Sequence, residues 1–223
     1  MSPPGRPRGE YQSAQHEGTP VSAPQVLAQR PVQLKGSWLA RKVLQALGWT
    51  LDFEGLSGLQ GVIAVYPHTS NWDFPLGLLA KWALGLKVIF WGKASLFKPP
   101  VFGAWMRWLG GVPVDRGTPK GIVGDMVQRM QTARENDQLL WLVLAPEGTR
   151  SQVPGWKSGF YNVCVGAGVP VALAHFDFAT KRVGISTFLQ LSGDRDADLA
   201  AIAEHVGWAK GYRPEFAAPI RLT

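Results

Sequence analysis

Three almost unbroken apolar runs constrain this chain more than any other feature: GVIAVYP at 61–67, QLLWLVLAP at 138–146 and VPVALAHF at 169–176. Each has the length of a strand, yet none alternates apolar with polar residues as a strand with one wet face would. They predict strands covered on both sides. In a compact domain that means a largely parallel sheet with helices packed on its two faces.

The intervening segments carry the helical period that such a sheet needs. Helices are expected over 73–84 and 158–167, and again where Ile122, Met126, Met130 and Ala133 recur behind Thr118 as N-cap and Pro119 as first helical residue. A last helix is expected over about 196–210, with Leu199, Ile202, Val206 and Ala209 inward and Gly211 as C-cap. Further strands are expected at 51–55, 86–91, 112–114 and 183–191. The expected fold class is α/β: a single-domain sandwich with a mostly buried central sheet flanked by helices.

Residues 1–34 begin MSPPGRPRGEYQSAQHEGTP and lack the apolar core of a secretory signal, so a disordered tail is expected ahead of one domain at 35–223. No run reaches the roughly 20 apolar residues that cross a bilayer, because Lys81, Lys87 and Lys93 interrupt the most hydrophobic region. Residues 36–49 place Leu39, Val43, Ala46 and Leu47 on one helical face, with Arg41, Lys42 and Gln45 opposite and Trp38 and Trp49 at the ends. Such a helix either docks on the core or lies among lipid headgroups.

A formal charge of +7 calls for an anionic partner: nucleic acid, an acidic membrane or a phosphorylated small molecule. No Asp or Glu occurs between Asp73 and Asp115, where Lys81, Lys87, Lys93, Lys98 and Arg107 are interleaved with Trp82, Trp91, Trp105 and Trp108. Tryptophan with lysine suits a membrane interface. The same interleaving can stack single-stranded nucleic acid, but this segment is too apolar to be mainly exposed and holds no recognisable RNA motif. The single cysteine, Cys164, excludes an intrachain disulfide and a CxxC zinc site, and its apolar setting YNVCVGAG suits a small buried residue better than a nucleophile.

The sharpest chemical signal is YPHTSNWD, in which His68 leaves the end of a buried strand and Asp73 opens the next helix. A carboxylate bonded to one imidazole nitrogen fixes the tautomer and leaves the other nitrogen free to take a proton. Taken alone, Asp73 also reads as a first-turn helix charge and His68 as a loop residue. A second segment, APEGTRS at 145–151, follows another buried strand; its backbone amides and Arg150 could converge on a phosphate, with Glu147 orienting that arginine or meeting a substrate hydroxyl. GGVPVDRG adds Arg116 just beyond a strand, and PGWKSG adds Lys157. Each of these cations, considered alone, reads as a surface charge.

Together, HTSNWD, GGVPVDR, PEGTRS and GVPVALA resemble, in order and spacing, the four motif blocks of the glycerolipid acyltransferase family over about residues 50–178. The likeness is to 1-acylglycerol-3-phosphate acyltransferases and their short bacterial relatives. It implies that His68 is a general base and Asp73 its orienting partner. It also implies that Arg116, Glu147, Gly148 and Arg150 form the acceptor site, Thr149 and Lys157 completing the expected substrate-binding set. The implied reaction moves an acyl group from acyl-CoA or acyl-carrier protein to a lysophospholipid hydroxyl, with no cofactor and no metal; neither His175 nor His205 has the spacing to join His68 in a ligand set. The implied setting is peripheral, on the cytoplasmic face of a membrane. One departure is that Leu173 and Ala174 stand where the fourth block usually carries a second proline, so donor and chain-length preference need not follow the family. A hydrolase using the same His–Asp pair, and a lipid-binding protein without catalysis, are the alternatives.

Overall fold

The computed structural model describes residues 23–114 and 119–223. Residues 1–22, Arg116 and the expected N-cap Thr118 lie outside them. The apolar runs form the middle of the sheet. Strand β3 (Gln60–Tyr66) pairs in parallel with β6 (Leu140–Leu144) on one side and β7 (Val171–Asp177) on the other. Val62, Ala64, Leu142 and Leu173 point into one buried cluster, whereas Ile63, Trp141 and Ala172 point into another on the opposite face. With both faces dry there is no polar position for alternation to show. A Cβ at Gly61 would stand 2.3 Å from the Trp141 ring, so the absent side chain is what seats that indole.

Outward from β6 lie β4 (Val88–Lys93) and then β5 (Gly111–Val114), both parallel to it. On the other side β8 (Arg182–Gln190) turns back antiparallel on β7, with a register shift between Leu173 and Ala174. Strands β1 (Gln25–Val26) and β2 (Thr50–Asp52) share the outer edge of β8, the first antiparallel and the second parallel. Among the described residues the sheet has eight strands, ordered β1-β8-β7-β3-β6-β4-β5 with β2 beside β8. The α/β sandwich expected from the sequence is the fold found.

Helices α4 (Pro119–Glu135), α5 (Gly159–Ala167) and α6 (Arg195–Val206) cover one face through Met126, Met130, Phe160, Val163 and Ile202. The other face is covered by α2 (Asp73–Leu84), with α1 (Trp38–Ala46) packed upon it through Ala40, Leu44, Ala80 and Ala83. A further helix, α3 (Pro100–Trp108), precedes β5 and was not expected.

Two expectations are corrected and one open alternative is decided. First, residues 23–34 are not a loose tail: β1 pairs with β8, Val32 bridges Leu56, and Leu27 and Leu34 pack against the core. Second, α1 buries Ala40 and Leu44, whereas Leu39, Val43 and Leu47 of the apolar stripe are exposed, so the stripe itself does not dock on the core. Ala40 and Leu44 meet α2, and Leu39, Val43 and Leu47 are turned outward. Third, α6 ends at Val206 with Gly207 as its cap, not at Gly211. The Asp177 carboxylate accepts from the Lys210 amide and the Lys210 carbonyl accepts from Phe178, so the chain is held by the β7–β8 turn instead of winding on.

Candidate active site

The site lies at the C-terminal ends of β3 and β6, where parallel strands leave unpaired backbone and loops carry the chemistry. After Tyr66 a cis peptide to Pro67 turns the chain, and the loop 68–72 leads directly into α2. Asp73, the first residue of α2, turns its side chain back over this loop. Its Oδ2 accepts from the amides of Thr69 and Ser70, each at 2.9 Å, and lies 3.1 Å from His68 Nδ1. The carboxylate is 1% exposed and the imidazole 23%. A sealed acceptor on Nδ1 selects the tautomer with its proton there, and leaves the lone pair of Nε2 on the partly open side. That is the arrangement of a base, and the loop amides hold the carboxylate in place whether or not the imidazole is charged.

Glu147 stands on the other side of the same loop. It is 1% exposed; Oε2 accepts from the His68 amide at 2.5 Å, and Oε1 accepts from the Ala218 amide at 3.0 Å. Burial raises its pKa from 4.5, and the two amides and the nearby His68 oppose the rise. Sequence reasoning set Glu147 beside an arginine or a substrate hydroxyl. Instead, the structure spends both of its oxygens on backbone amides, one from the histidine itself.

Beyond it Gly148 adopts φ +69°, a left-handed conformation that costs glycine nothing. Thr149 is half-buried, its Oγ1 accepting from the Ser151 amide at 3.3 Å, and the Arg150 side chain is exposed. Lys157 is also exposed; its amide donates to the Pro146 carbonyl at 2.8 Å, which draws the 154–157 loop against the 145–151 loop. Arg150 and Lys157 are thus exposed cations on two adjoining loops, and the expected contribution of Arg116 lies outside the described residues.

On the α2 side of the loop opens a cleft of about 260 Å³, lined by His68 and Asp73 together with Phe74, Leu78, Phe90 and Val143. His68, Asp73, Lys81 and His175 are its titratable groups, and the mostly apolar remainder suits a hydrocarbon chain. Cys164 contributes nothing here: it is fully buried in α5, and burial pushes its thiol well above the usual range.

Sequence reasoning missed the C-terminal segment altogether. The Tyr66 hydroxyl donates to the Ala218 carbonyl, the Arg213 amide donates to Thr69 Oγ1 at 3.2 Å, and Trp156 exchanges backbone bonds with Arg221 and Thr223. No motif marks residues 211–223, because they are held through backbone groups. His175, Asp177 and Trp156, left without roles in the sequence, also find places. His175 Nε2 lies 3.0 Å from Asp52 Oδ2, and burial lowers its pKa; Asp177 pins the β7–β8 turn; Trp156 fills the core beneath Tyr66, their ring centroids 5.4 Å apart.

A family profile described as Acyltransferase matches residues 51–172, just over half of the chain. The chloroplastic 1-acyl-sn-glycerol-3-phosphate acyltransferase BAT2 of Brassica napus is 28% identical over 123 residues, 54% of this chain and 35% of that protein. The chloroplastic LPAT1 of Arabidopsis thaliana, another 1-acyl-sn-glycerol-3-phosphate acyltransferase, is 27% identical over 126 residues, 55% of this chain and 35% of that protein. The matches span about a third of the length of these relatives. The crystal structure of PlsC from Thermotoga maritima, a 1-acyl-sn-glycerophosphate acyltransferase, aligns with 75% of this chain and 73% of its own at 21% identity, with a TM-score of 0.49.

Proposed function

The chain belongs to the acyltransferase family, and from that premise we propose that it transfers a fatty acyl group from an acyl-CoA or acyl-carrier-protein thioester to the hydroxyl of a lysophospholipid, 1-acylglycerol-3-phosphate foremost. The observation that carries this reading is the His68–Asp73 pair in the lining of a mostly apolar cleft. His68 Nε2 takes the proton of the acceptor hydroxyl as its oxygen attacks the thioester carbonyl. The tetrahedral intermediate collapses by breaking the C–S bond, and the departing thiolate takes the proton back from the imidazolium. Asp73 stabilises the imidazolium through Nδ1–H and keeps the ring from turning. The acyl chain occupies the cleft, and the exposed Arg150 and Lys157 meet phosphate.

The acceptor arrives from a lipid surface. Trp38 and Leu39 on α1 are 70% and 65% exposed, and Val101 and Trp108 on α3 are 84% and 73% exposed. Lys35 and Lys87 lie beside them on a groove that α1 and Trp108 help to line. Among the described residues no helix is long and apolar enough to cross a membrane. An outward tryptophan face with lysines suits shallow peripheral binding to anionic headgroups, as on a cytoplasmic leaflet.

The test is transfer from a labelled long-chain acyl thioester to a panel of lysolipids in mixed micelles, with His68→Ala alongside. Label should enter lipid with the wild-type protein and not with the variant. Label recovered as free fatty acid would replace transfer by hydrolysis, and binding without turnover would leave a lipid-binding protein.

A further inference from the structure

We infer that the C-terminal segment 211–223 belongs to the substrate site and that Arg213, carried on it, binds a substrate phosphate. The inference rests on the acyl-transfer reading above and adds a residue that no motif marks. The segment crosses the ends of β7, β3 and β6 in turn. Gly211 lies so close to the loop after β3 that a Cβ there would stand 2.4 Å from Thr69 Oγ1 and 3.0 Å from the Pro67 ring. Two residues on, the Arg213 amide donates to Thr69 Oγ1, and further along the Ala218 amide and carbonyl engage Glu147 and Tyr66. The backbone of Arg213 therefore rests on the residue that immediately follows His68.

Its side chain faces outward and is spared from holding the fold. Several arginines are committed in that way: Arg41 donates to the Ala83 carbonyl, Arg134 to those of Ala167 and Gly168, Arg221 to that of Pro154, and Arg182 pairs with Asp52. Among the described residues no carboxylate lies within ion-pair distance of Arg213. Its guanidinium instead lies 5.7 Å from the centroid of the Phe216 ring, a contact that restricts the side chain and leaves its hydrogen-bond donors free. A planar, permanently charged donor, unpaired by protein and carried on a backbone bonded to Thr69 of the loop after β3, is suited to a phosphate dianion. The phosphate belongs either to the acceptor headgroup or to the carrier of the acyl donor.

Arg213→Ala and Arg213→Lys separate these sources and leave the docking of the segment intact, because it depends on the backbone amide. Turnover is measured with lysophosphatidate and with monoacylglycerol as acceptors, and with acyl-CoA and a phosphate-free acyl N-acetylcysteamine thioester as donors. Equilibrium binding of both acceptor lipids in neutral-detergent micelles runs in parallel. We expect Arg213→Ala to weaken one phosphate-bearing substrate roughly three- to tenfold in KM or binding, with its phosphate-free counterpart unchanged and part of the loss restored by Arg213→Lys. Equal values for wild type and Arg213→Ala with all substrates would overturn the assignment while leaving acyl transfer standing. Failure of the wild-type protein to transfer to any acceptor would remove the acyl-transfer reading and this one with it.

Discussion

Glu147 separates two accounts of the PEGTR loop, because a contact to substrate and a clamp between backbone segments fail differently. In the structure its carboxylate joins the His68 amide to the Ala218 amide, so Glu147→Ala leaves two buried donors without an acceptor. An unsatisfied buried donor costs about 1–3 kcal/mol. Relief of the carboxylate's burial and hydration of a loosened segment reduce the sum to about 2–4 kcal/mol. For a chain of this size that corresponds to a fall of roughly 5–15 °C in Tm. Glu147→Gln keeps one acceptor but turns an NH2 toward the other amide, so about half of that loss is expected. Urea or thermal unfolding measures the stability, and limited proteolysis near residue 218 reports release of the C-terminal segment. Since His68 is held by the same clamp, kcat should fall with stability while KM for the acceptor changes little. Wild-type stability combined with a large rise in acceptor KM would refute the clamp and restore Glu147 to the substrate.

The same residue gives stability a pH dependence. Burial raises its folded pKa from 4.5, so its contribution is fully present below about pH 4.5 and is lost as pH rises through the folded value; unfolding free energies across that range should decline for wild type and lose this component in Glu147→Gln. His68→Ala should lower turnover by about 10² to 10⁴ with Tm almost unchanged, because the imidazole is partly open, and Asp73→Asn should lower kcat through loss of the fixed tautomer while keeping an acceptor for the loop amides. Replacing exposed Trp38 and Trp108 together by Ser should weaken co-sedimentation with anionic vesicles while leaving the unfolding free energy within about 0.5 kcal/mol of wild type, and unchanged sedimentation would reject these tryptophans as the lipid contact. Gly61→Ala should cost about 1–3 kcal/mol in denaturant unfolding, because the added methyl meets the Trp141 ring.

What was legible in the sequence follows the range of the interactions involved. β3, β6 and β7 could be read because burial on both faces removes polar residues from a local stretch, and α2 because its apolar period starts at Asp73 and stops at Gly85, its left-handed C-cap. The pairing of His68 with Asp73 is equally local, five residues apart across one turn. Its attachment to Glu147 spans 79 residues and that of Glu147 to Ala218 spans 71, and nothing in either segment announces the partner. The α1 stripe left two placements open because amphipathicity reports two faces without saying which one meets protein. α3 was hidden for a related reason: Val101, Phe102 and Trp105 face outward, so the apolar residues of 100–108 trace no inward stripe.

The outermost strand at the β4 side of the sheet is β5, four residues long with Pro113 near its middle. Proline has no N–H to offer a further strand, and so short a strand is a poor template for another copy to extend. At the opposite side β1 and β2 lie along the outer edge of β8. Association between molecules is thereby steered away from backbone ladders and toward the outward tryptophans. Aggregates formed without lipid should therefore disperse on addition of mild detergent and lack the cross-β signature of edge-to-edge growth.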